Sequence, residues 1–301
     1  VISVPARTQE LRAEAAIPRE YFGMHVARAH DAQQWPRVAF GAWRMWDAGV
    51  TWAHLQPQPG VWRWYRPDLL LDAAQRSGVE VLMPLGMTPQ WASARPKRKS
   101  FYGPGQAAEP ADPQLWEAYV RAVATRYRGR VRHYEIWNEP GSSRFFNGSP
   151  ETLVDLTARA ARVLKEVDPG ITVVGPALTR EKDLDWFDRW LAAGGADHVD
   201  VVSWHLYLDG RAPEAVVDVV RKVRERMARA GVNKPLWNTE AGFRTGAEHL
   251  SRVPADAYML RYLVMARAAG VERFYYYSWD HARMSLQEGR TGTLNAAGRA
   301  Y

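Results

Sequence analysis

Three observations predict an α/β fold in which eight parallel strands close into one (β/α)8 TIM barrel. Eight short apolar segments recur along the 301 residues, amphipathic segments lie between them, and most apolar segments end in polar or aromatic residues. The strand segments are 21–26, 42–46, 79–85, 131–137, 171–174, 199–207, 235–239 and 271–279. Helical spacing is clearest at 67–77, 113–128, 151–167, 213–230 and 255–269. Asp112-Pro113 and Ser149-Pro150 supply helix starts, and Gly78, Gly231 and Gly270 supply stops. An open doubly wound sheet would use fewer strands and a glycine-rich phosphate turn after the first, and Gly-Met-His-Val-Ala (23–27) has no such pattern. Residues 294–301 leave room for only a short or truncated eighth helix, and no linker divides residues 1–301 into more than one domain.

Composition bounds the function. Hydrophobic residues at 47% and charged residues at 24% are the profile of an ordinary globular chain. With no cysteine, neither a disulfide nor a thiolate metal site can form. No window approaches the ~18 apolar residues that a membrane-spanning helix needs. The first residues, Val-Ile-Ser-Val-Pro, carry no signal-like pattern. The net charge of +7 comes from basic residues spread over helix faces rather than one element, which argues against a nucleic-acid partner. Fourteen Trp and thirteen Tyr suit a core or flat rings that stack on sugars.

In a barrel of this kind the chemistry sits where the strands end. The first strand delivers His25, the second Arg44 and Trp46, and the third Thr-Pro-Gln-Trp, ending at Trp91. The fourth, His-Tyr-Glu-Ile-Trp-Asn-Glu-Pro (133–140), delivers Trp137, Asn138 and Glu139. The fifth ends in Gly-Pro-Ala and gives nothing ionisable. Ser203, His205 and Tyr207 share one face of the sixth by strand alternation. Glu240 ends the seventh, and Tyr277, Ser278, Trp279 and Asp280 end the eighth. Glu139 and Glu240 therefore face each other across the barrel mouth.

Two facing carboxyls suit glycosidic cleavage, in which one protonates the leaving oxygen and the other attacks the sugar or activates water. We expect Glu139 to be the acid/base, its carboxyl raised by part burial and by the Glu240 charge. Glu240 is then the nucleophile, kept ionised by Arg44. His205 and Tyr207 could orient Glu240 or bind sugar hydroxyls, Asn138 could hold the hydroxyl beside the anomeric carbon, and Trp279 could floor the site. The plainer readings are a surface Glu, a satisfied core His and core aromatics. A metal-dependent hydrolase would want a His-x-His pair on the first strand, where His25 stands alone, so neither metal nor cofactor is expected. Arg-Pro-Lys-Arg-Lys (95–99) is either a solvated loop or a contact for an acidic polymer. Arg-Phe-Phe (144–146) is a candidate cleft wall.

Trp-Asn-Glu-Pro (137–140) on the fourth strand with Asn-Thr-Glu (238–240) on the seventh resembles the clan A glycoside hydrolases, which are retaining barrels. Gly-Ala-Trp-Arg-Met-Trp-Asp (41–47), Gln-Pro-Gln-Pro-Gly-Val-Trp (56–62), Leu-Gly-Met-Thr-Pro-Gln-Trp-Ala (85–92), Tyr-Gly-Pro-Gly (102–105) and His-Leu-Tyr (205–207) are most similar to family 39 and related bacterial exopolysaccharide glycosidases. The resemblance implies acid/base Glu139, nucleophile Glu240 and Asn138 at the sugar 2-hydroxyl. It also implies Arg44, His205 and Tyr207 around the nucleophile, with Trp279 under the sugar. His25, Trp46, Trp91 and Trp137 complete the expected substrate contacts by their place at strand ends.

Many xylosidase-type relatives carry an added β-sandwich, for which this sequence has no room. That favours a bare barrel with an open cleft, endo-acting on a polysaccharide. The alternatives are an exo-acting β-xylosidase-like enzyme and a carbohydrate-binding barrel without catalysis. The expected partner is an oligo- or polysaccharide, the expected state a monomer, and the expected compartment secreted or periplasmic.

Overall fold

Strand β1 (Phe22–Met24) pairs in parallel with β2 (Ala42–Arg44) on one side and with β8 (Val271–Tyr276) on the other, which closes the sheet. Between them run β3 (Glu80–Leu85), β4 (His133–Ile136), β5 (Thr172–Thr179), β6 (Val201–His205) and β7 (Leu236–Ala241), each parallel to its neighbour. The protein is thus the eight-stranded barrel that its sequence predicts. This computed structural model describes residues 16–31, 34–244 and 253–301, so the opening stretch read for a leader lies outside it.

The helices are α1 (Trp52–Leu55), α2 (Tyr65–Arg76), α3 (Pro113–Arg126), α4 (Pro150–Val167), α5 (Leu184–Ala192), α6 (Ala215–Arg229), α7 (Ala255–Ala268) and α8 (Ala296–Ala300). The expected starts act as caps. The Asp112 carboxylate accepts from the Gln114 N–H and the Ser149 hydroxyl from the Thr152 N–H, with proline next in each case. Helix α4 buries Leu153, Leu156, Ala160, Val163 and Leu164 on one face, the 3.6-residue period written in its sequence. Helix α5 is absent from the sequence expectation, although Leu184, Phe187, Trp190 and Leu191 form its buried face.

Strand β5 outruns its expected end. Pro176 argues for a stop, yet pairing with β6 resumes beyond a register shift between Gly175 and Leu178. Inside the barrel, Ala42, Leu82, Val174, Val201, Trp237 and Tyr275 pack as one cluster. At the strand starts, Arg273 and His133 both reach Glu80, at 2.7 and 3.2 Å. That polar plug leaves the opposite, C-terminal end of the barrel as the open face. Among the described residues, no helix is long and apolar enough to cross a membrane.

Candidate active site

The backbone leaves strand β4 by a route few side chains tolerate. Trp137 and Glu139 have φ of 70° and 43°, in the left-handed region that costs a non-glycine residue free energy. Cross-strand hydrogen bonds hold the path: the Trp137 N–H donates to the Leu85 carbonyl at 2.8 Å and the Glu139 N–H to the Ala177 carbonyl at 2.9 Å. Gly86 is needed beside it, since a Cβ there would sit 3.2 Å from the Trp137 ring. The turn puts the Glu139 side chain over the barrel mouth.

Arg44 is fully buried and makes three charge-assisted or polar contacts. It donates to the Glu135 carboxylate at 2.6 Å, the Glu240 carboxylate at 2.8 Å and the Asn138 amide oxygen at 2.7 Å. Burial works against its charge, but Glu135 and Glu240 outweigh it and raise its pKa. The other Glu240 oxygen accepts from the Tyr207 hydroxyl at 2.9 Å. His205 Nδ1 lies 3.0 Å from a Glu139 oxygen. Single atoms of Glu139, His205 and Glu240 all lie within 4.8 Å of one another. That spacing is close to the ~5–5.5 Å of retaining glycosidases and short of the ~6.5–9.5 Å that an inverting pair needs for its water. By donor type the same three groups could hold a cation, but the Arg44 guanidinium already supplies positive charge at Glu240.

The proton distribution departs from the sequence expectation. Burial pushes Glu240 up against the His205 and Arg44 charges, with the Glu139 and Asp47 charges adding to the rise, so its carboxyl lies above the ordinary range. Burial pushes Glu139 up too, but the hydrogen bond and charge of His205, with Arg44 and Arg180, outweigh it and hold it below that range. The expectation was the reverse order, with Glu139 raised and Glu240 ionised. Two causes act together: burial raises Glu240, and His205 gives its hydrogen bond to Glu139, on which its Nδ1 is aimed.

Several expected sugar contacts are placed otherwise. Trp137 is 0% exposed, gives its N–H to the Phe145 carbonyl at 2.7 Å and packs on Phe146, so it is a wall of the core and offers no face to the cleft. Trp279, expected as a floor, is 1% exposed. His25 is buried and gives Nε2–H to the Thr239 carbonyl at 2.9 Å. Burial, then the Arg44 charge, keeps it neutral, so its Nε2 braces the end of β7 while its Nδ1 has no protein partner among the described residues. Trp91 is half-buried and spends its N–H on the Gln56 carbonyl at 2.9 Å. Trp46 ties its N–H to the Tyr102 hydroxyl at 2.9 Å, and its ring lies 5.5 Å from the Arg44 guanidinium. In the basic loop, Arg95 is committed to Glu109 and Asn147, which leaves Lys97, Arg98 and Lys99 exposed. Phe145 lines up with Tyr102 and Phe101, whereas Phe146 goes inward.

Sequence reasoning missed Glu135, Asp47 and Asp183. Glu135 sits within the fourth-strand motif, at the polar position of an apolar run, and that was its signal. Asp47 accepts from Tyr102 at 2.9 Å and Tyr277 at 2.7 Å, a pairing of distant loops that no local pattern shows. Asp183 follows the underestimated β5, and burial pushes its carboxyl up to about 6.

Comparison with known proteins agrees with this geometry. The sequence profile of glycosyl hydrolases family 39 matches residues 64–288. A β-xylosidase of Geobacillus stearothermophilus is 29% identical over 150 residues, covering 46% of this chain and 29% of the relative. One from Caldicellulosiruptor saccharolyticus is 25% identical over 199 residues, covering 63% of this chain and 40% of the relative. The matched region therefore spans less than half the length of either. Among solved structures, a GH39 β-xylosidase from Caulobacter crescentus superposes with a TM-score of 0.75 at 24% identity, over 96% of this chain and 72% of its own, and shows the fold. The GH39 enzyme from Xanthomonas axonopodis pv. citri superposes at 0.72 with 25% identity, over 95% and 66%.

Proposed function

Because the chain belongs to glycosyl hydrolases family 39, we propose that it is a retaining glycoside hydrolase that cleaves β-type bonds by double displacement. The observation that carries the role assignment is the pair of donors on Glu240. Arg44 and Tyr207 both stabilise an ionised carboxylate, as a nucleophile requires, whereas Glu139 touches an imidazole able to give and take a proton. The productive state places one proton in the Glu139–His205 bond and leaves Glu240 ionised. Positive charge growing at the anomeric carbon beside Glu240 favours that distribution as the bond breaks. Glu139 then protonates the leaving oxygen, Glu240 forms the covalent bond to the sugar, and water activated by Glu139 releases it. Asn138 spends its amide oxygen on Arg44, which leaves its NH2 to donate to a hydroxyl beside the anomeric carbon.

Azide separates the roles. With an activated aryl glycoside, Glu139→Ala with azide should give a glycosyl azide of retained configuration, and Glu240→Ala one of inverted configuration. The opposite pattern would exchange the two assignments. Glu139→Gln should slow substrates with poor leaving groups by roughly a hundredfold to ten-thousandfold and spare those with good ones.

Endo action on a polysaccharide is the finer reading. Cavities of about 770 and 440 Å³ flank the pair, one reached through Trp46 and Tyr102 and the other through Tyr207 and Arg180. A chain could thus cross the mouth in both directions. Exo action is the second reading, favoured by the relatives' description as β-xylosidases. End-labelled oligosaccharides decide, since internal cuts support the first and release of single terminal sugars supports the second. Absence of turnover on every glycoside tried would leave the binding barrel. A polymeric substrate also supports a secreted or periplasmic location, which fractionation of the source cell would test; sedimentation would test the expected monomer.

A further inference from the structure

The larger cavity has a chemistry that the catalytic pair does not use. Its inner end is Trp46, Asp47 and Tyr102, and Asp47 is also held by Tyr277, so it opens onto the catalytic rim. Its outer end holds Trp62 and Trp64, half-buried rings stacked 4.6 Å apart at 8°, a flat shelf of the kind that meets the C–H face of a sugar. Arg63 and Arg66 line the same space. Arg66 is fixed in place, donating to the Ala48 carbonyl at 2.6 Å and lying 3.1 Å from His30. Gly49, at φ 76°, makes room for it, since a Cβ there would fall 2.8 Å from the Arg66 Nε. Among the described residues, neither arginine has a carboxylate partner. His54 also lines the cavity, but burial, then the Arg66 charge, lowers its pKa and keeps it neutral near pH 7.

We propose that this cavity is a distal subsite for an acidic sugar residue, a uronyl carboxylate bound by Arg63 and Arg66 with its ring against the tryptophan shelf. The proposal rests on the glycosidase reading and narrows its substrate to a polymer carrying carboxylates. Two arginines against one aspartate leave a single positive charge, which matches a monoanion better than a phosphate dianion. The planar guanidinium fork also fits a carboxylate edge. The Arg95–Lys99 loop plays no part in it.

Calorimetric titration of the full chain carrying Glu139→Gln tests this with three probes: a xylotriose bearing one methylglucuronic acid, neutral xylotetraose, and free glucuronate. The acidic oligosaccharide should bind about tenfold tighter than the neutral one, the ratio expected of one charge-assisted contact. The preference should shrink at high salt. Adding Arg63→Gln should bring the ratio close to one, and Arg66→Gln should do the same. Equal affinities, binding of none of the probes, or a preference that survives Arg63→Gln would overturn the subsite. Labelling of Glu240 by a 2-fluoro glycoside, and turnover of a small aryl glycoside, are read separately in the wild type and in Arg63→Gln, where neither should change. Labelling without a charge preference sinks the subsite alone, and a charge preference without labelling sinks the glycosidase reading alone.

Discussion

Glu135 and His205 never need to touch a sugar, yet each sets the charge of a residue that would. Glu135 is fully buried and shares Arg44 with Glu240. Glu135→Gln removes that competing charge, so Arg44 acts undivided on Glu240 and draws its carboxyl down. Activity is expected to need Glu240 ionised, so the acid limb of kcat/KM against pH should move to lower pH. A merely structural Glu135 would lower the rate and leave the limb where it is. Glu135→Leu takes one carboxylate from the buried Arg44 and leaves it Glu240 and Asn138, so denaturant unfolding should show a loss of about 1–3 kcal/mol. For His205 the sign is opposite. Its donation holds Glu139 below the ordinary range, and His205→Phe removes that stabilisation of the carboxylate. The Glu139 proton then persists to higher pH, so the alkaline limb should move upward even as kcat falls from lost positioning. An unmoved or lowered limb would refute the account.

Among the elements, the β4 exit and the overlong β5 meet at Gly141. A Cβ on residue 141 would lie 2.5 Å from the Asp183 carboxyl carbon. Gly141→Ala should therefore push apart the two segments that seat Glu139 and lower kcat by about tenfold or more, because small misplacements of a reacting group are costly. Aryl glycoside kinetics beside an unchanged circular dichroism spectrum would check it. These elements also mark how much could be read beforehand. The strands were legible because each is an apolar run bounded by turn residues, and the candidate site because several strand ends, the fourth and seventh above all, carry a distinctive polar residue. Helix α5 is not legible because its pattern spans only nine residues and Pro176 argues for an early end to the strand before it. The ring placements of Trp137 and Trp279 were not legible, because an aromatic at a strand end reads the same whether it turns to the cleft or into the core. Nor was the partner of His205, which a few degrees of backbone decide.

At the scale of the whole molecule, the plug at the strand starts contributes to acid stability. The His133 hydrogen bond, with the Arg273 charge and against burial, holds Glu80 down to about 2. A depressed carboxyl stabilises the fold above its unfolded pKa. That contribution is lost as pH falls from about 4.5 to about 2. Glu80→Gln should therefore be less stable than the wild type near neutrality and flatter in urea midpoint across that acid window. A wild-type profile that is equally flat would contradict it.

Arg44 comes from the first half of the barrel, as do Glu135 and Asn138, but its bond to Glu240 crosses into the second half. Neither half by itself holds both the proposed nucleophile and its counter-charge. Turnover thus reports that the two halves have docked. If the chain is cut in a surface loop between β4 and β5 and the pieces are made apart, each should be silent, and activity on mixing should rise with the rate at which the halves find one another.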